Sequence, residues 1–167
     1  MIAKVLVKDR RRTAMSDKYN RYQISVSAIN LPERFPPEGV MLCTLTSQMD
    51  YKKVLSLFLQ IFPNEVDLDK VLQLHELPRP LFEGAFIAKI EQEIIGFLIS
   101  GQSNQIAYIM YLGVIEQYQS QGIATALLEQ LKSYLKAKNI QIIRCSIRKD
   151  NVKTINYIKY LGFHLMP

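Results

Sequence analysis

The chain has 167 residues, of which 49% are hydrophobic and 22% charged, so it can fold as one domain around a buried core and is not disordered throughout. No stretch approaches the roughly 18 uninterrupted apolar residues that a membrane span needs. Met1–Val7 is too short for a secretion signal, and the acidic and basic residues that follow it are in the wrong order for one. We therefore expect a cytoplasmic protein without a membrane partner.

The net charge of +6 is concentrated near the N-terminus. Residues 1–38 carry 8 Lys or Arg and 4 Asp or Glu, whereas residues 39–167 carry 13 and 11. The basic triplet Arg10–Arg12 could bind nucleic acid or an acidic partner. Because only Tyr19 and Tyr22 offer stacking surfaces near it, a solvated basic segment is the simpler interpretation, and we expect no nucleic-acid partner.

The first 38 residues also differ from the rest in their pattern. Ile2–Val7 is a short apolar run, and Tyr22–Ala28 alternates apolar and polar residues as a strand does. A cluster of prolines then interrupts regular structure. We predict a basic N-terminal extension, residues 1–38, and one domain, residues 39–167, with the linker at about 30–39.

The predicted domain begins with one strand and two helices. Val40–Leu45 has the composition of a strand, and Thr46 or Ser47 can cap the helix that follows it. Apolar residues recur in that helix at helical spacing until Pro63. A second helix is predicted at about 67–76.

The remaining residues change to the period of strands. Two strand-like runs flank the turn Glu91–Glu93 and predict a hairpin. A long apolar strand, an amphipathic helix, a strand, a helix closed by Gly162 and a short last strand follow. This order predicts an α/β (α+β) fold with a mixed, mostly antiparallel central sheet and helices on both faces. The predicted strands are 82–90, 94–100, 106–115, 140–147 and 163–166, and the predicted helices are 123–138 and 150–161.

The most informative segment, Tyr111–Thr125, is a strand that passes through a short polar turn into the strongest helix. The first N–H groups of a helix have no intrahelical acceptor and the helix dipole makes that end positive, so it binds phosphate well. Small residues at Gly122 and Ala124 let a ligand approach the backbone closely, and Thr125 adds a hydroxyl donor. No lysine or arginine occurs in residues 109–130, so backbone amides would hold such a phosphate.

The pattern Gln-x-x-Gly-x-Ala at 119–124 is weak alone, because a glycine before an amphipathic helix is common. It lacks the Gly-Lys-Ser/Thr ending of a nucleotide P-loop and the three glycines of a Rossmann fingerprint. A second segment strengthens it, since Asn151 begins a helix that ends in Leu-Gly-Phe at 161–163. Together the two segments resemble the GNAT acetyltransferase superfamily, which has this acetyl-CoA signature followed by an Asn and a helix ending in Leu-Gly-Phe.

The resemblance is close over residues 106–163 and looser back to about residue 40, and it does not cover residues 1–38. It implies a GNAT-like acyl-CoA N-acyltransferase fold. It also implies an enzyme that transfers an acetyl group from acetyl-CoA, as co-substrate, to a primary amine of a small molecule or protein. No metal is implied.

The resemblance assigns a place to each part of the coenzyme. Leu112 and Val114 would present backbone groups to the pantetheine arm and thioester, and the strands ending at Val114 and Ile147 would splay to admit that arm. Asn151 would hydrogen-bond the coenzyme, although a plain helix N-cap explains this residue equally well. Gln119 and Ser120 would shape the loop, and the backbone N–H groups of the next five residues would bind the pyrophosphate: Gln121, Gly122, Ile123, Ala124 and Thr125.

The catalytic residues are where this chain departs from the family. The tyrosine that commonly protonates the leaving thiolate would stand at Ile158, and the adjacent Tyr157 is its candidate replacement, with core packing as the equal alternative. An amine with a pKa of about 10.4 needs a general base near neutral pH. The strand position at which some relatives carry that base holds Tyr108. Further candidates for the base are Glu83, Glu116, His75 and His164.

The C-terminus is a second departure, because relatives usually continue past Leu-Gly-Phe with two strands and only four residues remain here. An exposed sheet edge invites association, so we expect the N-terminal extension, or a second copy in a homodimer, to cover it. Two other functions stay open. One is a non-catalytic acyl-CoA-binding regulatory domain on the same fold, favoured by Ile158, and the other is nucleic-acid binding through Arg10–Arg12.

Overall fold

A computed structural model of the chain describes residues 2–4, 18–33, 35–62 and 84–167. The described strands are β1 Ile2–Lys4, β2 Tyr19–Ser25, β3 Val40–Thr44, β4 Ala85–Ile90, β5 Glu93–Ser103, β6 Ile106–Val114, β7 Ile142–Arg148 and β8 His164–Leu165. The described helices are α1 Gln48–Ile61, α2 Ile123–Ala137 and α3 Val152–Tyr160. The predicted helix at 67–76, with His75, and the candidate base Glu83 lie outside the described residues.

The strands form one sheet in the spatial order β3-β4-β5-β6-β7-β2-β8, and β1 pairs separately with β6. Among the described strands, β6 and β7 form the one parallel pair, and the other pairs are antiparallel. The predicted mixed, mostly antiparallel sheet is therefore confirmed.

Helices cover both faces of this sheet, as predicted, because neighbouring residues of a strand point to opposite faces. Phe97 in β5 lies against α1, where its ring centroid is 6.3 Å from that of Phe58. The next residue, Leu98, belongs to the opposite core, together with Leu127 and Leu131 of α2. The long apolar stripe of α2 therefore fixes that helix on one face, and the aromatic cluster around Phe58 fixes α1 on the other.

The two hairpins show how short polar turns set the strand lengths. β4 and β5 join through Glu91 and Gln92, and Glu91 adopts a left-handed backbone with φ 53°. β5 then continues to Ser103, three residues beyond the predicted end, because Ser103 pairs with Ile106 across a second tight turn. The turn between β5 and β6 is thus only two residues long, Asn104 and Gln105.

Part of the predicted N-terminal extension lies inside the sheet. β2 pairs with β7 on one side and with β8 on the other. Its side chains Tyr22 and Ile24 are almost fully buried, at 1% and 3% exposed. A segment of the extension therefore separates β7 from β8, while the boundary between residues 38 and 39 stays a prediction.

Candidate functional site

The first feature of the candidate site is a gap between β6 and β7. The two strands are paired in parallel only near their starts, where the last pair joins Tyr108 to Arg144. Both strands continue beyond this pair, β6 to Val114 and β7 to Arg148. The strands therefore separate toward their C-terminal ends, as the sequence led us to expect.

A β-bulge in β6 marks the point of separation. Ser100 of β5 pairs with Ile109, but the preceding Ile99 pairs with Tyr111, so Met110 is an extra residue on β6. A bulge bends its strand and increases the local twist. Because Met110 comes two residues after the last parallel pair, the bulge accounts physically for the divergence of β6 from β7.

The loop after β6 holds itself together through glutamine side chains. Gln119 Nε2 donates to the carbonyl oxygen of Val114 at 3.0 Å, and Gln121 Nε2 donates to that of Gln117 at 2.9 Å. Ser120 adopts a left-handed backbone with φ 64°. These contacts fold the chain back sharply, so the end of β6 and the start of α2 lie next to each other.

The start of α2, the positive end of its helix dipole, follows the loop directly. Its N-cap is Gly122, with φ 84°, and no side chain among the described residues provides the N-cap hydrogen bond. The first turn contains no acidic residue. The first backbone N–H groups of this helix, from Ile123 onward, therefore form a site suited to an anion such as a phosphate.

Close packing fixes this helix start against the sheet. A methyl group added to Gly96 of β5 would lie 3.2 Å from Val114 Cγ2 and 3.3 Å from Ile123 Cγ2. The absence of a side chain at Gly96 thus allows α2 to begin directly over the end of β6. This close packing fixes the first backbone N–H groups of α2 relative to the gap between β6 and β7.

One side-chain contact connects α3 to the start of α2. Asn151 caps α3, since its Oδ1 accepts a hydrogen bond from the N–H of Thr154 at 3.2 Å. The hydroxyl groups of Tyr157 and Thr125 are 2.8 Å apart and share a hydrogen bond. Tyr157 of α3 is therefore tied to the first turn of α2.

A model of the Acetyltransferase (GNAT) family matches residues 51–163. This chain belongs to the GNAT family. The matched range covers both segments that carried the resemblance in the sequence, from the strand before Gly122 to the Leu-Gly-Phe at 161–163.

Individual relatives of the GNAT chain agree with this assignment. An N-alpha-acetyltransferase of Sulfurisphaera tokodaii is 27% identical over 124 residues, which are 58% of this chain and 74% of that protein. A GCN5-related N-acetyltransferase from Sphaerobacter thermophilus superposes with a TM-score of 0.73 at 18% identity over 89% of this chain, which spans about half (48%) of that protein. The enzyme AAC(6')-Iy, solved with a CoA-S-monomethyl-acetylneamine bisubstrate analog, has a TM-score of 0.62 at 17% identity, covering 75% of this chain and 90% of that one. The structural matches show the fold.

The predicted coenzyme-binding residues of this GNAT chain, other than Asn151, lie between the end of β6 and the first turn of α2. Leu112 and Val114 are on the part of β6 beyond the bulge, and the loop and helix start directly follow. Asn151 is a helix N-cap in the structure, which was one of its two interpretations. The residues that sequence reasoning did not single out are Met110, whose bulge has no sequence signal, and Gly96, which is one of several glycines.

Ile158 is buried in the GNAT chain, only 6% exposed, among Ile109, Leu112 and Cys145. Burial raises the pKa of the Cys145 thiol to about 12, so this thiol is a poor source of thiolate. The position at which the family commonly carries a tyrosine thus contributes an apolar contact. The half-buried hydroxyl of Tyr157, tied to Thr125, points instead to the start of α2.

The candidate bases are dispersed. Tyr108 is half-buried and forms the last pair before β6 and β7 separate, at the closed end of the gap. Glu116 is exposed in the short 3-10 turn after β6. His164 lies on β8, three strands away from β6, where its Nε2 is 3.2 Å from Nε2 of Gln23. Tyr108 is therefore the candidate with the best position among those that the structure describes.

The gap between β6 and β7 contains main chain of the same molecule. β1 pairs antiparallel with β6 in the register Ile2–Gly113, Ala3–Leu112 and Lys4–Tyr111. These partners are all on the part of β6 that β7 has left. The N-terminal strand thus lies along the edge of β6 that the resemblance assigns to the pantetheine arm.

Two kinds of feature, a metal-ligand group and a membrane-crossing helix, are not found among the described residues of the GNAT chain. No group of three or more His, Cys, Asp or Glu side chains there could hold a metal ion. None of the described helices is both long enough and apolar enough to cross a membrane.

Proposed function

We propose that this chain is an N-acetyltransferase that transfers an acetyl group from acetyl-CoA to a primary amine. The observation that carries the proposal is the uncapped start of α2 at Gly122, which directly follows a strand that has separated from its parallel neighbour. A helix start of this kind binds a diphosphate through backbone amides. The edge of β6 beside it, which β1 occupies in this structure, is the one that would hydrogen-bond an extended, amide-containing arm.

The residues take the following roles in the proposal. Backbone N–H groups of the helix start hold the pyrophosphate, and Leu112 and Val114 offer main-chain groups to the pantetheine arm. Gln119, through its bond to the Val114 carbonyl, keeps the loop in place. Asn151 positions α3 and offers its amide to the coenzyme. The amides that hold the pyrophosphate belong to Gln121, Gly122, Ile123, Ala124 and Thr125, with Ser120 forming the turn before them.

The chemistry requires a neutral amine, whose nitrogen attacks the thioester carbonyl carbon. Backbone N–H groups beyond Leu112 stabilise the oxyanion of the tetrahedral intermediate. The C–S bond then breaks, and the thiolate takes a proton from Tyr157 or from solvent, since a thiol pKa is about 8.5. Tyr108 is proposed to relay the proton of the amine: its hydroxyl oxygen accepts that proton while its own proton passes to water. Holding amine and thioester together provides much of the acceleration.

The acceptor is proposed to be an α-amine of a polypeptide or an amine of a small molecule. The Sulfurisphaera relative is an N-alpha-acetyltransferase, which supports testing a peptide N-terminus first. The bisubstrate analog in the AAC(6')-Iy structure supports including an amine-bearing small molecule.

Calorimetry with acetyl-CoA, followed by a thiol-release assay over a panel of amines, tests the proposal. The panel contains short peptides with free and with blocked N-termini, an aminoglycoside and lysine. We expect uptake of acetyl-CoA and release of free thiol that depends on one free amine. Absence of any uptake would overturn the proposal.

The buried Ile158 supports a second candidate, a non-catalytic acyl-CoA-binding regulatory domain on the same fold. With no tyrosine at this position, the leaving thiolate lacks the family's usual proton donor. The same experiment separates the two functions. Uptake of acetyl-CoA without thiol release above the rate of hydrolysis, with every amine of the panel, supports the regulatory domain.

A further inference from the structure

The separated part of β6 is bonded on both of its edges. On one edge β5 pairs with it, joining Phe97 to Gly113 and Ile99 to Tyr111. On the other edge β1 pairs with the same residues of β6, from Tyr111 to Gly113. A strand has two edges for ladder hydrogen bonds, so this part of β6 has no edge left for a third extended partner.

β1 occupies the edge of β6 that faces the gap, where β7 no longer pairs with β6. β7 leaves β6 after the pair Tyr108–Arg144, and β1 begins its pairing three residues later, at Tyr111. β1 reaches the open end of the gap, because Ile2 pairs with Gly113, next to the end of the strand. It therefore lies along the gap from the bulge to the start of the loop before α2.

We propose that β1 is an internal competitor of acyl-CoA: Ile2–Lys4 and the pantetheine arm use the same edge of β6, so that β1 must leave before the coenzyme binds. The inference rests on the proposed function, which places the pantetheine arm at this edge. It adds that the chain regulates its own access to acyl-CoA through its N-terminus.

Because β1 has only three residues, it should compete weakly with the coenzyme for the edge of β6, so that the coenzyme can displace it. Only three residue pairs join β1 to β6, and each backbone hydrogen bond contributes modestly to stability, so a ligand has few bonds to replace. Acyl-CoA binds only to the fraction of molecules in which the edge is free, and its apparent Kd rises in proportion. If β1 is displaced in about a tenth of the molecules, the apparent Kd is about tenfold above the intrinsic one.

Ala3→Pro tests the competition, because proline removes a backbone donor and fixes φ away from the strand value. Ala3→Val is the matched control, since valine keeps the N–H group and favours strands. A chain that lacks residues 1–4 removes the competitor without depending on the effect of proline. Coenzyme A is titrated into each by calorimetry.

We expect the truncated chain and Ala3→Pro to bind coenzyme A about three- to tenfold more tightly than the wild type, and Ala3→Val to match the wild type. Equal Kd values within twofold for the truncated chain and the wild type overturn the competition. Weaker binding by the truncated chain also overturns it, because β1 would then support the coenzyme.

Hydrogen exchange separates this inference from the proposed function. In the wild type without ligand, the backbone amides of Ala3 and Lys4 should exchange more slowly than in an unstructured peptide, and coenzyme A should remove this protection. Protection that persists at saturating coenzyme A overturns the competition. If neither the wild type nor the truncated chain binds coenzyme A, the proposed function is overturned. Protection of residues 2–4 then still supports the pairing of β1 with β6, and its absence refutes that pairing.

Discussion

Gly122 is the residue on which the anion site depends. Its φ of 84° is a left-handed conformation that residues with a Cβ atom adopt only at a cost of about 1 to 2 kcal/mol. Glycine therefore lets the loop turn into α2 without that cost. It also leaves the first helical amides accessible, because no Cβ atom stands beside them.

Gly122→Ala should weaken coenzyme A binding about tenfold and lower the free energy of unfolding by about 1 kcal/mol. Gly39→Ala is the control, because Gly39 has the same conformation, φ 85°, and no heavy atom lies within 4 Å of an added Cβ. The two variants should lose similar stability in urea unfolding, and only Gly122→Ala should lose affinity in calorimetry. Equal coenzyme A affinities of the two variants would contradict the proposal that the start of α2 binds the pyrophosphate.

Tyr157 combines a structural contact with a proposed catalytic role. Tyr157→Phe removes the hydrogen bond to Thr125, which is 6% exposed, and should cost about 1 kcal/mol of stability. Tyr160→Phe is the control on the same helix, since Tyr160 is exposed. If Tyr157 is the proton donor, Tyr157→Phe also lowers kcat and flattens the alkaline limb of the pH profile of thiol release. A loss of stability with an unchanged pH profile assigns Tyr157 to positioning alone.

At the scale of elements, a largely buried ion pair joins α1 to the sheet. Lys89 Nζ of β4 lies 2.7 Å from Asp50 Oδ1 in the first turn of α1, and the side chains are only 16% and 19% exposed. The hydrogen bond from Lys89 lowers the pKa of the Asp50 carboxyl. Ser47 caps the same turn, with its Oγ accepting from the N–H of Asp50 at 3.0 Å.

Asp50→Asn should lower the free energy of unfolding by about 1 to 2 kcal/mol at pH 7, because Lys89 loses its partner in a partly buried position. The pKa of Asp50 is lower in the folded state than in the unfolded chain. The ion pair therefore stabilises the protein fully above the unfolded pKa of about 3.9, and this stabilisation is lost as the pH falls through the folded value. Urea unfolding of both proteins from pH 7 down to pH 3 should show the difference shrinking at the acidic end.

Asp150→Asn provides the control for this effect. Arg148 lowers the pKa of the Asp150 carboxyl in the same way, but that pair is exposed to solvent. Its removal should change stability much less than removal of the Asp50 carboxylate. Similar losses for both variants would contradict the assignment of α1 docking to the Lys89–Asp50 pair.

At the scale of the whole molecule, β2 joins the N-terminal part of the chain to the central sheet. β2 lies between β7 and β8, so it covers the edge of β7 that would otherwise be free. This arrangement gives the short C-terminal β8 a partner near the start of the chain. A homodimer stays a prediction that this coverage does not require.

Ile24→Ala should cost about 2 to 5 kcal/mol of stability, because it leaves a cavity in the main core although residue 24 lies in the predicted extension. Arg21→Ala on the same strand is the control, since the Arg21 side chain is exposed, and it should change stability by less than about 0.5 kcal/mol. Thermal and urea unfolding measure both. A loss below about 1 kcal/mol for Ile24→Ala would mean that β2 is not part of the cooperative unit.

The sequence alone predicted β3 to β8 and the three described α-helices, and it located the start of α2. The start of α2 could be recognised because a helix N-terminus depends on residues within one turn, here Gly122 and its neighbours. The cap at Asn151 and the stripe of α2 are equally local. A mixed sheet with helices on both faces also followed from the order of the elements.

Only the tertiary structure decided which distant segments meet. The bulge at Met110 depends on the register between β5 and β6, and the Thr125–Tyr157 bond joins residues 32 positions apart. The sequence showed only a short apolar run beginning at Ile2, whereas the alternation around Tyr22 predicted a strand. Neither pattern indicates which strand the segment pairs with, because pairing depends on competition among all available strand edges. Both segments pair with strands more than 100 residues away in the sequence.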